Sequence, residues 1–132
     1  IISYFNLSIM KEQILDLEKK YWEGMENHNY EIVKNLTYFP CTVVSKKGIK
    51  SIDEPTFKEL FDSGKDMKME IKGISEAVVQ SFSNSFATIA YIVEMEADDN
   101  GQKKLYKCVC TSSWIMENGV WKCAAHSEND LA

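Results

Sequence analysis

The sequence predicts an α+β fold in which helices lie on one face of an antiparallel β-sheet. Apolar residues recur at helical spacing in the first half of the chain and alternate with polar residues over long stretches of the second half. Two Asn-Gly pairs, Asn100-Gly101 and Asn118-Gly119, interrupt the second half. Asn-Gly is the strongest short signal for a two-residue hairpin, because both central residues must adopt positive φ. The predicted order is helix, helix, strand, helix and a meander of strands.

Three helices are predicted before the meander. The first covers residues 10–27, where Lys and Glu separate apolar residues at helical spacing and Pro is absent. The second covers residues 30–36, with Asn29 as its N-cap. Residues 51–54 read as a capping box, and a Pro follows within the first helical turn, so a third helix is expected to run to about residue 62.

The strands follow from β-branched runs and from alternation. Pro40 is expected to end the second helix, and the β-branched residues 41–44 predict a short strand. Four further strands are predicted after the third helix: 67–79, 86–97, 103–116 and 120–127.

Two-residue hairpin loops fix which residues of neighbouring strands face each other. The predicted partners are Tyr91 with Cys110, Ile89 with Ser112, Ala87 with Trp114, Val93 with Cys108, Trp114 with Cys123, Met116 with Trp121, and Ser112 with Ala125. Because side chains alternate along a strand, all of these share one face. We assign that face to the concave side, under the helices.

The opposite, outer face is predicted to be small, β-branched and mildly apolar. Its predicted members are Phe86, Thr88, Ala90, Ile92, Val109, Thr111, Ser113, Ile115, Ala124 and His126. A face open to water would carry more Lys and Glu, so we expect a homodimer formed through this face. A monomer with a partly apolar sheet face is the alternative.

Composition limits the partners and the compartment. The 132 residues suffice for one domain, and 15 basic against 20 acidic residues give a net charge of −5. All the basic residues are Lys, and an acidic chain without Arg is poorly suited to nucleic acid. No apolar stretch is long enough for a membrane span. The first residues lack the features of a signal peptide, so a cytoplasmic protein with reduced thiols is expected.

Met10-Lys11-Glu12 resembles a natural start of translation. Residues 1–9 are therefore predicted to be an upstream extension or a remnant of cloning. Residues 10–132 are predicted to be the single domain.

Three segments resemble the nuclear-transport-factor-2-like (NTF2-like), or cystatin-like, superfamily, and in particular its SnoaL-like branch. They are YWEGMENHNY at 21–30, VKNLTYFP at 33–40 and SWIMENGVWK at 113–122. The resemblance covers about residues 10–127. It implies a cone-shaped domain in which a curved antiparallel sheet wraps around the N-terminal helices. The superfamily includes isomerases, dehydratases, cyclases, transport factors and binding domains, so the fold does not specify an activity.

The ketosteroid isomerases of this fold offer a comparison by position. Their oxyanion-binding tyrosine falls on Tyr21, their general base falls near Ser45, and their second oxyanion donor falls near Ser112. A serine without an activating partner cannot act as a base near neutral pH. The resemblance therefore argues against that enolisation scheme here.

The leading hypothesis is an inner cavity that binds a small, mostly apolar ligand. Its predicted lining is Tyr21, Ser45, Phe61, Tyr91, Cys110, Ser112 and Trp114. One alternative is a cofactor-independent isomerase, dehydratase or cyclase with Tyr21 as hydrogen-bond donor. Another is a protein-interaction module that uses the outer sheet face, for which Phe61, Tyr91 and Trp114 would close the cavity. No catalytic residue, cofactor or metal is assigned.

Cys108-x-Cys110, with Cys123 and His126, suggests a metal site at first sight. The predicted register places Cys123 roughly 13 Å from Cys110 at strand rise and puts His126 on the opposite face. Zinc needs its ligands at about 2.0–2.3 Å, so these residues cannot meet unless the strand bulges. The cysteines are predicted to be buried, inert thiols, and His126 is predicted to have no carboxylate neighbour.

Overall fold

In the computed structural model of the chain, the backbone is described for residues 4–131 and side chains for residues 9–98 and 100–131. The helices are α1 (Tyr4–Glu26), α2 (Tyr30–Asn35) and α3 (Glu54–Ser63). The strands are β1 (Thr37–Ser45), β2 (Gly48–Ile52), β3 (Met69–Ser83), β4 (Phe86–Asp99), β5 (Gln102–Glu117) and β6 (Val120–Asp130).

The predicted α+β fold is confirmed. The strands form one curved, unclosed sheet in the order β2-β1-β6-β5-β4-β3, with the helices before and between the strands. Neighbouring strands are antiparallel except β1 and β6, which run parallel. The parallel pair brings the first strand of the chain against its last strand. No helix in the described part of the chain combines the length and apolarity needed to cross a membrane.

Helix α1 supplies the helical side of the core through one stripe of buried side chains. Ile14, Glu18 and Trp22 are all buried and recur every four residues, so they lie on one face of the helix. Two of these residues are apolar, as the helical spacing predicts. The third is a carboxylate. The helix begins at Tyr4, so it also includes residues that the sequence assigns to an upstream extension, and the status of that extension stays a prediction.

The first two strands differ from the predicted single short strand. β1 begins at Thr37 and includes Pro40, and a tight turn joins it to β2. The sequence pattern did not predict β2, because this strand is short and four of its five residues are exposed. Helix α3 is capped by Asp53, whose side chain accepts from the Thr56 N–H at 2.9 Å. The N-cap of this helix therefore lies two residues after the first residue of the predicted capping box, so that prediction is wrong.

The hairpin partners are confirmed throughout β4–β5 and next to the turn of β5–β6. Farther along β6 they are wrong, because the register shifts between Trp114, which faces Cys123, and Ser113, which faces Ala125. Ala124 is the extra residue of this β-bulge. Ser112 consequently faces His126 rather than Ala125.

The bulge reverses the predicted orientation of His126. A shift of one residue moves a side chain to the other face of the sheet. His126 therefore lies on the concave face, where its Nδ1 is 2.8 Å from Ser112 Oγ, and its predicted place on the outer face is wrong.

Gly24 is required where α1 and α2 pack together. A Cβ at this position would lie 2.8 Å from Val33 Cγ1, and Val33 is a fully buried, β-branched residue with little rotamer freedom. We expect Gly24→Ala to lower the free energy of unfolding, because overpacking costs about 1–3 kcal/mol whereas alanine in a helix gains only about 1 kcal/mol. Urea denaturation measures the difference.

Gly64→Ala is the matched control. A Cβ there meets nothing closer than the Phe61 carbonyl at 3.7 Å, and the backbone φ is negative. This variant should be as stable as the parent, or more stable by up to about 1 kcal/mol. Equal stability of both variants would contradict the close α1–α2 packing.

Candidate functional site

A cavity of about 320 Å³ lies between α1, α3 and the concave face of the sheet. Its apolar lining is Trp22, Met25, Cys41, Val43, Phe57, Met69, Met95, Cys123 and Ala125. Its polar lining is Glu18, Tyr21, Thr37, Thr42, His126 and Glu128. The walls are thus mostly apolar, and α1 and β6 contribute the ionisable groups.

The carboxylate of Glu18 is the centre of a buried hydrogen-bond network. Its side chain is buried, and the residue as a whole is 3% exposed. Oε1 accepts from Tyr91 Oη at 2.5 Å and from Ser112 Oγ at 2.7 Å, and Oε2 accepts from Trp114 Nε1 at 2.7 Å. Three donors and no acceptor face the group, which is the environment of an ionised carboxylate.

Trp22 fixes the direction of the Tyr91 hydrogen bond. Its Nε1 donates to Tyr91 Oη at 2.7 Å, so the single phenolic proton of Tyr91 is free to be donated to Glu18. Burial, reinforced by the negative charge of Glu18, holds the pKa of Tyr91 far above its ordinary value. Tyr91 therefore remains a donor at any physiological pH.

The network continues from Ser112 to His126. Because Ser112 donates its only proton to Glu18, its Oγ must accept from His126, whose Nδ1 is 2.8 Å away. This assigns the Nδ1–H proton to the imidazole. Nε2 then points to Glu128, with Oε1 at 3.2 Å. The indole of Trp22 packs edge-on against the imidazole, with ring centroids 6.2 Å apart, and helps to orient it.

Tyr21 belongs to a second, smaller network at the cavity wall. Thr37 Oγ1 donates to the Val33 carbonyl at 2.6 Å, so the 2.7 Å contact between Tyr21 Oη and Thr37 is a bond donated by Tyr21. Burial raises the pKa of Tyr21 well above its ordinary value, and the bond to Thr37 opposes this. The proton of Tyr21 is thus already used inside the protein.

The four cysteines are free and buried. Burial is the main cause that raises the pKa of each thiol: that of Cys108 rises to about 11, and those of Cys110 and Cys123 rise further. Thiolate is therefore scarce at neutral pH, and the thiols have little nucleophilic character unless a cation approaches.

The seven predicted lining residues fall into four groups, of which only the first lines the cavity. Tyr21 lines the cavity. Tyr91, Ser112 and Trp114 lie behind the wall, where they hold Glu18. Cys110 is 1% exposed. It lies on β5, two residues before Ser112, and faces Glu128 on β6.

Ser45 and Phe61 lie outside the cavity lining. Ser45 is the last residue of β1, and its Oγ accepts from the Lys47 N–H at 3.1 Å in the turn to β2. Phe61 packs on the rings of Tyr30 and His28. Phe57, one turn earlier on α3, is the residue of that helix that lines the cavity.

Sequence reasoning missed Glu18, His126 and Glu128. Glu18 carried a usable signal, because it falls between Ile14 and Trp22 on the apolar face of α1. A charged residue at such a position is either misplaced or paired. His126 and Glu128 carried no comparable signal, since their orientation depends on the bulge. The expectation that His126 has no carboxylate neighbour is wrong.

Several solved structures share this fold at low sequence identity. An NTF2-like protein from Cytophaga hutchinsonii has a TM-score of 0.76 at 18% identity, covering 91% of this chain and 97% of that one. An NTF2-like superfamily protein from Salmonella enterica has a TM-score of 0.77 at 13% identity, covering 96% of this chain and 94% of that one. The CaMKII hub homology domain of Chlamydomonas reinhardtii has a TM-score of 0.75 at 14% identity, covering 90% of this chain and 96% of that one.

These similarities show the NTF2-like, cystatin-like fold, so the resemblance is confirmed at the level of the fold. The SnoaL-like branch stays a prediction. No protein-family model and no curated protein matches the sequence.

Replacing the buried carboxylate tests the network. Glu18→Gln puts an amide NH₂ among three donors, so at least one buried donor loses its acceptor. We expect the free energy of unfolding to fall by about 1–3 kcal/mol in urea denaturation. Glu23→Gln, an exposed position on the same helix, is the control and should change it by less than about 0.5 kcal/mol. If Glu18→Gln left the protein as stable as the parent, the carboxyl group would be a donor, contrary to the assigned directions.

Proposed function

We propose that this domain binds a small, mostly apolar ligand in the cavity under α1, with a polar group of the ligand directed toward His126 and Glu128. One observation carries the proposal: the large rings that could fill the cone leave it open. Tyr91 and Trp114 turn to Glu18 and lie behind the wall. The remaining volume, about 320 Å³, falls at the small end of the range of about 300–1,000 Å³ typical of ligand sites.

The charges at the polar end define the preferred ligand. Glu18 already accepts from three donors, so its capacity is largely used within the protein. Glu128 lines the cavity and is only half-buried, which leaves its carboxylate available to a ligand. A hydrogen-bond donor or a cationic group on the ligand would therefore be favoured, and an anionic group would be repelled.

Three ligands with one apolar ring and different polar groups test this preference. We expect saturation-transfer NMR and chemical-shift titration to show tighter binding of benzylamine and benzyl alcohol than of benzoate. Val43→Phe, which fills the cavity from β1 beside His126, should abolish binding of all three. Ala77→Phe, on an exposed position of β3, is the matched control and should bind like the parent.

Circular dichroism confirms that each variant is folded before binding is compared. Preferential binding of benzoate would contradict the assigned polarity. Unchanged binding by a folded Val43→Phe variant would place the ligands elsewhere and overturn the proposal.

An isomerase, dehydratase or cyclase that uses Tyr21 as hydrogen-bond donor is less well supported. The Tyr21 proton is donated to Thr37, so a substrate oxygen would have to displace that internal bond. A pure protein-interaction module is also less well supported, because the cavity that it would close is open.

We also propose that the domain forms a homodimer through the outer face of the sheet. Val78, Phe86 and Val109 lie on this face and are 66%, 36% and 42% exposed. Exposed apolar side chains grouped on one sheet face are typical of interaction surfaces. Structures that share the fold include the association domain of Caenorhabditis elegans CaMKII, whose name describes assembly.

Light scattering coupled to gel filtration, at tens of micromolar protein, measures the oligomeric state. We expect a dimer for the parent and a monomer for Val109→Glu, because a buried, unpaired charge is costly at an interface. Leu60→Glu, an exposed apolar position on α3 and away from the outer sheet face, is the control and should stay dimeric. A monomeric parent would overturn this proposal and leave the ligand proposal unaffected.

A further inference from the structure

Strands β5 and β6 bring a thiol, an imidazole and a carboxylate together beside the cavity. Cys110 faces Glu128 across the two strands, and Ser112 faces His126 in the next row. The ligand atoms of Cys110, His126 and Glu128 all lie within 4.8 Å of one another. The bulge at Ala124 creates this arrangement, because without it His126 and Glu128 would point to the other face of the sheet.

Hydrogen-bond directions show that this cluster requires a cation. The Nδ1–H of His126 is donated to Ser112, so Nε2 is the ring nitrogen that faces Glu128, with Oε1 at 3.2 Å. Two lone pairs at this distance repel unless a positive charge lies between them. The charge is either a proton on Nε2 or a metal ion bound by both groups.

We propose that Cys110, His126 and Glu128 bind a divalent transition-metal ion, with Zn²⁺ as the best match. Thiolate sulfur, imidazole nitrogen and carboxylate oxygen are the three donor types that zinc uses in proteins. Ligand atoms at about 2.0–2.3 Å from a metal lie on the order of 3–4 Å from each other. The present spacing, up to 4.8 Å, is somewhat wider, so the three side chains must draw together when the ion binds.

The outer shell of the cluster resembles the support given to metal-bound histidines. Such a histidine usually donates its second N–H to a fixed acceptor, which sets its tautomer and orientation. Here Ser112 Oγ is that acceptor, and Glu18 holds Ser112 in turn.

Binding of the metal ion would displace two protons from its ligands. The ion replaces the Cys110 thiol proton and the proton between Nε2 and Glu128, and both protons leave to solvent. Burial and the charge of Glu128 raise the pKa of the Cys110 thiol well above its ordinary value, so the free thiol is protonated until a cation arrives. His126 and Glu128 line the cavity, so the fourth coordination position opens toward it.

The ligand set differs from the one that the cysteine pattern suggests. Cys123 lines a different part of the cavity wall and donates to the Ala125 carbonyl. Cys108 lies one row farther along β5, beside Asp130 at 3.7 Å. Only Cys110 of the four cysteines belongs to the cluster.

Cobalt titration of the reduced, metal-stripped protein tests the site. We expect one equivalent of Co²⁺ to produce the intense visible bands of a tetrahedral site and a near-ultraviolet thiolate-to-cobalt charge-transfer band, both removed by excess Zn²⁺. Cys110→Ser should lose the charge-transfer band. Cys41→Ser, another buried cysteine that lines the cavity, is the matched control and should keep it.

Glu128→Gln gives a second test that does not depend on a buried substitution. It should weaken Co²⁺ binding by at least about tenfold, because even changes outside the ligand shell commonly cost about that much. The proposal is overturned if the parent protein gives no charge-transfer band, which would leave a proton as the cation of the cluster. It is also overturned if the band survives in Cys110→Ser or disappears in Cys41→Ser. The ligand preference proposed above is that of the metal-stripped protein, in which the Glu128 carboxylate is available to a ligand.

Discussion

The ionised carboxylate of Glu18, buried on the core face of α1, constrains the whole interior. A buried charge is tolerated only if hydrogen-bond donors replace water. Tyr91, Ser112 and Trp114 provide these donors, each from the concave face of the sheet. The same bonds draw two large rings away from the middle of the cone. The cavity therefore results from the hydrogen bonds that compensate the buried charge of Glu18.

The second constraint is the single extra residue in β6. Ala124 shifts the register of the strand, so that His126 and Glu128 join the concave face beside Ser112 and Cys110. Bulges redirect side chains with little disruption of the surrounding ladder, which continues to the end of the strand. One local irregularity therefore adds an imidazole and a carboxylate to a wall that already carries the Cys110 thiol.

The two constraints meet at Ser112. Its hydroxyl has one proton, which Glu18 receives, and its oxygen then accepts from His126. The buried charge on α1 thereby sets the tautomer of an imidazole on β6. A residue that stabilises the core and a residue that faces the cavity are coupled through one side chain, so stability and ligand chemistry are not separable at this end of the domain.

The sequence by itself determined the order of elements, the two hairpins and the facing residues of β4 and β5, because Asn-Gly turns and strict alternation are local properties. It also determined that Tyr91, Ser112 and Trp114 share the concave face. Only the tertiary structure decided what these residues do there. Glu18 meets them through packing of α1 on the sheet, and His126 meets them through a bulge for which no local pattern gives a signal. Both contacts join residues far apart in the chain, and periodicity within one segment carries no information about such contacts.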